Sequence, residues 1–335
     1  MASSLGKSTI VFNNRPVIVG YGSVVGKKEM EGPLSAEFDA HDLDSRFGEK
    51  SYEKAESRMQ KIAVETALRK CSKSENDIDV IFAGDLLNQC VGSSFGLRGM
   101  GIPFSGIYGA CSTMTLGLIL AALSVDCGAA NCAAAVTSSH FCSAERQYRY
   151  PLEYGSVRPQ SSQWTVTGAG ASVLSVGDGK PYIDKACFGK IADLGVKDAN
   201  NMGAAMAPSA AGTLTEFFED TSTKPDDYDA IFTGDLGKVG TDLLYTLTEQ
   251  NGFCIRERHL DCGLLIFDRN RQDVHSGGSG CGCSATVLNS YVFHRFEEGR
   301  YRNILFMSTG ALLSPTSTMQ GESIPGIAHL VNIRI

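Results

Sequence analysis

Two short turns hold the residues best suited to chemistry. The first reads Gly109-Ala110-Cys111-Ser112-Thr113-Met114 and opens onto an apolar run over residues 116–123. This is the pattern of a turn entering a buried helix, with Cys111 where the helix begins. Backbone N–H groups at such a place lack intrahelical partners, and the helix dipole favours negative charge. A thiol there ionises more easily than a free cysteine, and an anion finds ready donors. Cys111 can therefore be read as a nucleophile, as a ligand contact in an anion seat, or as a packed thiol. Downstream, residues 132–137 read as a buried strand that ends in Ser138-Ser139-His140, which places His140 toward a cleft. The second turn, Gly278-Ser279-Gly280-Cys281, opens another apolar run over residues 285–296.

The elements that must position these turns occur twice. Asp229-Ala230-Ile231-Phe232-Thr233-Gly234-Asp235-Leu236 repeats Asp79-Val80-Ile81-Phe82-Ala83-Gly84-Asp85-Leu86 at an offset of 150 residues. Each copy follows a helix-like segment and an acidic cluster. Cys111 and Ser138 in the first half correspond to Cys281 and Thr309 in the second. Three matches in one order point to a duplicated βαβ-rich unit. The expected fold is α/β, with two halves (residues 1–178 and 179–335), each on a mixed but mostly parallel sheet, facing each other about a pseudo-twofold axis. Ligands in such sheets bind beyond the strand C-termini, so both cysteine turns converge on the centre. Other expected elements are a strand over residues 15–21, a loop over 22–34, a helix over 51–70 with Met59, Ile62, Ala63 and Ala67 on one face, and an irregular excursion over 145–163.

Bulk properties narrow the function. The chain has 335 residues, 43% apolar and 20% charged, with a formal net charge of −7; nothing suggests a nucleic-acid partner. No apolar h-region opens the chain, and no apolar run reaches the roughly 20 residues a transmembrane helix needs. We expect a soluble, intracellular protein. The 11 cysteines are odd in number and irregular in spacing, which fits reduced, packed thiols and offers no zinc-ligand pattern.

Several motifs resemble the stage V sporulation protein AD family, a branch of the thiolase-like fold. They include Ala83-Gly84-Asp85-Leu86-Leu87-Asn88-Gln89, Gly109-Ala110-Cys111-Ser112-Thr113, Thr137-Ser138-Ser139-His140 and Ala144-Glu145-Arg146-Gln147-Tyr148-Arg149-Tyr150-Pro151. Met202-Gly203-Ala204-Ala205-Met206-Ala207-Pro208, Asp261-Cys262-Gly263-Leu264-Leu265-Ile266, Gly277-Gly278-Ser279-Gly280-Cys281 and Thr309-Gly310-Ala311-Leu312-Leu313-Ser314-Pro315 complete the set. These blocks lie in order from Ala83 to Pro315, within a resemblance that runs from about residue 16 to 332.

The resemblance implies a sporulation protein that binds dipicolinic acid, with calcium accompanying the ligand, and supports its uptake into the developing spore. It implies a cytoplasmic homodimer, peripheral at the spore membrane beside membrane-embedded proteins of the same operon, with no resident cofactor or metal. Condensing enzymes of this fold need a His and an Asn, His or Cys from the second half to activate the cysteine. Here one place reads Thr233-Gly234-Asp235, and the other, residues 277–283, contains no His; His275 stands just before it. An aspartate beside Cys111 would raise its pKa, so the fold is expected to serve as a non-catalytic scaffold. An acyltransferase using Cys111 and a docking scaffold with a vestigial pocket are the alternatives. A flat dicarboxylate wants apolar walls and donors at both ends. The expected contacts are Cys111, Ser112, Ser139, His140, Ser279 and Cys281, with Arg146 and Arg149 as bidentate carboxylate partners. Asp85 either holds calcium or caps its own turn, and Met206, like Met202, either lines the wall or fills the core.

Overall fold

The computed structural model describes residues 1–148 and 157–335. The chain runs through β1 (Ser3–Leu5), β2 (Thr9–Val11), β3 (Pro16–Val25), α1 (Lys27–Met30), β4 (Ala40–His41) and α2 (Tyr52–Lys70). It continues through β5 (Val80–Gly84), α3 (Val91–Leu97), β6 (Phe104–Gly106), α4 (Thr113–Asp126), β7 (Cys132–Ser139), α5 (Phe141–Tyr148), β8 (Trp164–Thr165) and β9 (Gly168–Val176). Then come β10 (Tyr182–Cys187), α6 (Met202–Thr221), β11 (Ala230–Thr233), α7 (Gly237–Gln250), β12 (His259–Asp261), α8 (Cys262–Leu265) and β13 (Gly278–Ser279). Last are α9 (Cys281–Val287), α10 (Phe293–Glu297), β14 (Asn303–Ala311), α11 (Pro315–Met319) and β15 (Gly326–Arg334).

The duplication is explicit in the strand order. One half of the sheet runs β3-β9-β7-β5-β6 and the other β10-β15-β14-β11-β12. In each, the first two junctions are antiparallel and the last two parallel. The sheets are thus evenly mixed rather than mostly parallel. The parallel junctions are bridged by helical crossovers, whereas β9 and β15 turn back onto β7 and β14 and pair antiparallel. β10 links the two halves, pairing with β15 and, through Tyr182 and Val17, with β3. The hairpin of β1 and β2 also attaches to β10.

Local sequence explains the helices that matter. Ser51 accepts the Lys54 N–H and so caps α2, which buries Met59, Ala63 and Ala67 against the outer face of the first sheet while Ile62 is half-exposed. α6 and α7 cover the second sheet. α4 buries Met114, Leu118, Ile119, Ala122 and Val125, apolar on every side, as a helix enclosed by protein must be. It packs on β5, β7 and β9 of its own half and on β14 and β15 of the other, and α9 lies beside it. The apolar run 285–296 is not one helix. A π-turn over Leu288–Val292 breaks it, because the Asn289 side chain donates to the Ala285 carbonyl and accepts from Ser172. Two loop readings also change: β3 extends to Val25, and α5 carries helix from Phe141 to Tyr148.

Each central strand ends against the other half's cysteine turn. The Cys281 thiol donates to the Ser138 carbonyl at 2.9 Å, and Thr115 Oγ1 donates to Ser308 Oγ at 2.7 Å. A Cβ at Gly310 would stand 2.5 Å from the Gly109 carbonyl oxygen. Gly310→Ala must therefore push β14 off the Cys111 turn. The expected loss is about 1–3 kcal/mol of stability, read as a lower urea midpoint at unchanged m.

Candidate functional site

Ala110 adopts a positive φ of 49°, folding the chain into a tight turn before α4. The Ser112 N–H donates to the Gly109 carbonyl and the Thr113 N–H to that of Ala110. Ser112 Oγ also donates to Gly109. The Ser112 and Thr113 donors of this turn are thus used by the turn itself, and Ser112 is buried away from any cleft.

The second turn does hold an anion, but it is the chain's own. Asp235 follows β11 and accepts from the Gly280 N–H at 2.9 Å, Thr309 Oγ1 at 2.8 Å and Ser279 Oγ at 3.3 Å. It also accepts from the Cys111 thiol. The Gly282 N–H goes to Ser139 Oγ, which itself donates to the Val166 carbonyl. Ser139 is therefore a buried tie between the halves rather than a ligand contact.

Electrostatics reverse the expected acidity of Cys111. Burial pushes its thiol well above the ordinary range, and the charge and hydrogen bond of Asp235 push it further. Burial raises the Cys281 thiol well above its ordinary range as well. Asp235 is itself raised to about 7 by burial, despite its donors. At neutral pH Cys111 is a neutral thiol donating to the Asp235 carboxyl. His275, the imidazole just before the second turn in sequence, turns to the Pro159 carbonyl and Asp273 and brings no base to the thiol.

Above Cys111 lies a narrow cleft of about 40 Å³ that opens to solvent. Its walls include Leu86, Leu313, Tyr108, Tyr148 and Met202, with Cys111, Ser279 and Thr165 among the deeper residues. The Tyr108 and Tyr148 hydroxyls stand 3.2 Å apart, and Tyr148 donates to the Leu86 carbonyl. Among the described residues no Lys or Arg lines this cleft. Glu145 lies on it and accepts from Thr165 at 3.4 Å.

The structure brings Cys111 and Ser279 to this cleft, with Cys281 packed beside Cys111 in a small apolar cluster. Met202 lines it, whereas Met206, one turn further along α6, is fully buried in the core. His140 does not face it. Its Nε2 meets the Ser45 carbonyl at 2.6 Å and its Nδ1 accepts the Cys142 N–H, on the opposite side of the β8–α5 wall. Arg146 points outward to an ion pair with Glu53. Arg149 lies outside the described residues. Asp85 is buried and accepts the Leu87 N–H at 2.8 Å, the Ser93 N–H at 2.7 Å and the Ser93 hydroxyl, the work of a turn cap. Tyr108 and Tyr148 were missed as site residues. Tyr108 lies just before the cysteine turn, and its aromatic type beside that turn was the available signal.

A model of the stage V sporulation protein AD family matches residues 6–334. The chain is 44% identical over 324 residues to stage V sporulation protein AD of Bacillus subtilis (strain 168), covering 97% of this chain and 96% of that protein. Among solved structures it is similar to 3-oxoacyl-[acyl-carrier-protein] synthase III from Aquifex aeolicus, with a TM-score of 0.58 and 14% identity over 96% of this chain and 100% of the other. A variant of OleA from Xanthomonas campestris superposes with a TM-score of 0.61 and 13% identity, over 97% and 98% of the two chains. At such identities the likeness speaks for the fold, which is thiolase-like. Among the described residues no helix is long and apolar enough to cross a membrane.

Proposed function

The chain belongs to the stage V sporulation protein AD family, and from that premise we propose that it binds dipicolinic acid in the cleft above Cys111 and supports its uptake into the developing spore. The fold acts here as a non-catalytic scaffold. In this reading the protein works as a homodimer at the spore membrane, beside membrane-embedded partners of the same operon.

The observation that supports the reading most is the pairing of a narrow aromatic slot with a thiol held neutral. A flat pyridine suits walls made by Tyr108, Tyr148, Leu86 and Leu313. With Tyr148 donating to the Leu86 carbonyl and Ser279 to Asp235, the Tyr108 hydroxyl is the donor offered to a carboxylate. A cysteine raised by burial and by Asp235 lacks the thiolate that acyl transfer needs. In this reading the ligand enters with its calcium, since the chelate carries less net charge than the free dianion.

Titration calorimetry with sodium dipicolinate, with and without calcium, tests this. Saturable binding, tighter with calcium, is expected. Tyr108→Phe removes one hydroxyl donor to a carboxylate and should weaken binding about tenfold. Arg146→Ala, remote from the slot, should leave it unchanged. Absence of binding under both conditions overturns the reading. Covalent acylation of Cys111 by an acyl-CoA would replace it with acyl transfer.

A further inference from the structure

The wall that carries Thr165 into the first cleft carries Trp164 into a second one. β8 alternates its side chains, so neighbouring residues face opposite sides. On the far side, Trp164, Phe141 and His140 line a separate cleft with Lys27, Lys28 and Glu29. The Phe141 and Trp164 rings stack at 3.8 Å with an interplanar angle of 7°. Lys28 Nζ sits 3.7 Å from the Trp164 ring centroid, and the Arg158 guanidinium lies 4.8 Å from it.

Glu29 is the group the fold leaves unanswered. It is 1% exposed. One carboxyl oxygen, Oε1, accepts the Thr167 N–H at 2.9 Å. The other, Oε2, is buried and has no hydrogen-bond partner among the described residues. A buried acceptor left unmet is destabilising, so a donor brought to it is favoured. The cations nearby are also incompletely answered. Lys28 is held below its usual range by burial and by the facing Arg158, whereas Arg158 already has Asp273 at 2.7 Å. Lys27 is exposed at the rim.

We propose that this second cleft binds a small amino-carboxylate zwitterion, whose ammonium donates to Glu29 Oε2 and whose carboxylate meets Lys27 and Lys28. The ligand's body lies along the edges of the Trp164–Phe141 stack. The site goes beyond dipicolinate binding and does not depend on it: ionised dipicolinate carries no N–H or O–H to offer Glu29.

Trp164 is the chain's single tryptophan, so its emission reports on this cleft directly. Titrate the full chain with glycine, β-alanine and 4-aminobutyrate, and with butylamine and butyrate at matched ionic strength. At least one zwitterion should change the emission saturably, at a concentration at least tenfold below either singly charged probe. Glu29→Gln should raise that concentration at least tenfold. Should Glu29→Gln fail to fold, Lys27→Gln at the exposed rim removes only a carboxylate partner and should weaken binding several-fold. No saturable change with any zwitterion, or an equal response to butylamine or butyrate, overturns the site. Displacement of the zwitterion by dipicolinate would merge the two clefts and equally overturn it. Failure of dipicolinate to bind in calorimetry leaves this titration unaffected.

Discussion

Asp235→Asn should make Cys111 alkylate at least ten times faster at pH 8. Asp235 raises the thiol twice over, through its charge and by accepting the thiol's hydrogen bond. Asparagine keeps the shape and an acceptor for Thr309, but removes the charge. One unit of thiol pKa is a factor of ten in thiolate at a pH well below the pKa. Iodoacetamide labelling, followed at the Cys111 peptide by mass spectrometry, separates this thiol from the exposed Cys127 and Cys254. A urea melt guards against mistaking loosened structure for chemistry. An unchanged rate in a folded variant would mean that burial alone silences the thiol, and Asp235 would lose its place as the group that distinguishes this site from a nucleophile.

Glu56→Gln should gain about 3 kcal/mol over the parent chain between pH 5 and pH 8. Glu56 is buried in α2, accepting from Ser138 at 3.0 Å and Ser143 at 2.8 Å. Burial, then the charge of Asp85, raises its carboxyl from 4.5 to about 8. The unfolded chain gives up this proton near 4.5, whereas the folded chain keeps it to about 8. Over that window the folded state binds more protons, so stability is full below 4.5 and is lost as pH rises toward 8, by up to about 1.4 kcal/mol per pH unit for one proton. Glutamine keeps the acceptor and cannot ionise. The raised carboxyls of Glu29, Asp235 and Asp261 and the lowered imidazoles of His259 and His329 act in both proteins and cancel in the difference. Urea midpoints at pH 5 and pH 8 measure it; parallel profiles would show that Glu56 is ionised in the folded chain at both.

Much of the architecture was legible in the residues. The Asp79–Leu86 motif returns at Asp229–Leu236, and both copies became strands with the same neighbours, because a short apolar run ending in Gly-Asp specifies a buried strand and its turn without help from elsewhere. The Ser51 cap and the Met59, Ala63 and Ala67 spacing carried α2 for the same local reason. The evenly mixed sheets were not legible, since the direction in which β9 and β15 return depends on what they meet. The break in α9 came from an Asn289 side chain finding Ser172, a contact between residues 117 apart.

The site divides along the same line. Sequence alone determined that Cys111 heads the central helix, that Asp235 repeats Asp85 in the second copy, and that an aspartate beside the thiol would suppress it. These are matters of residue type at a place in a repeat. Only the tertiary structure decided which side chains share a space. It turned His140 to the far side of the β8–α5 wall, sent Arg146 to Glu53, sank Met206 into the core and gave the cleft to Tyr108 and Tyr148. It also filled the second turn's N–H groups with Asp235 and Ser139. The reason is physical: a donor's availability is set by the acceptors folded against it. Those acceptors come from the turn itself, from a strand end of the same half and, for Gly282, from Ser139 of the other half.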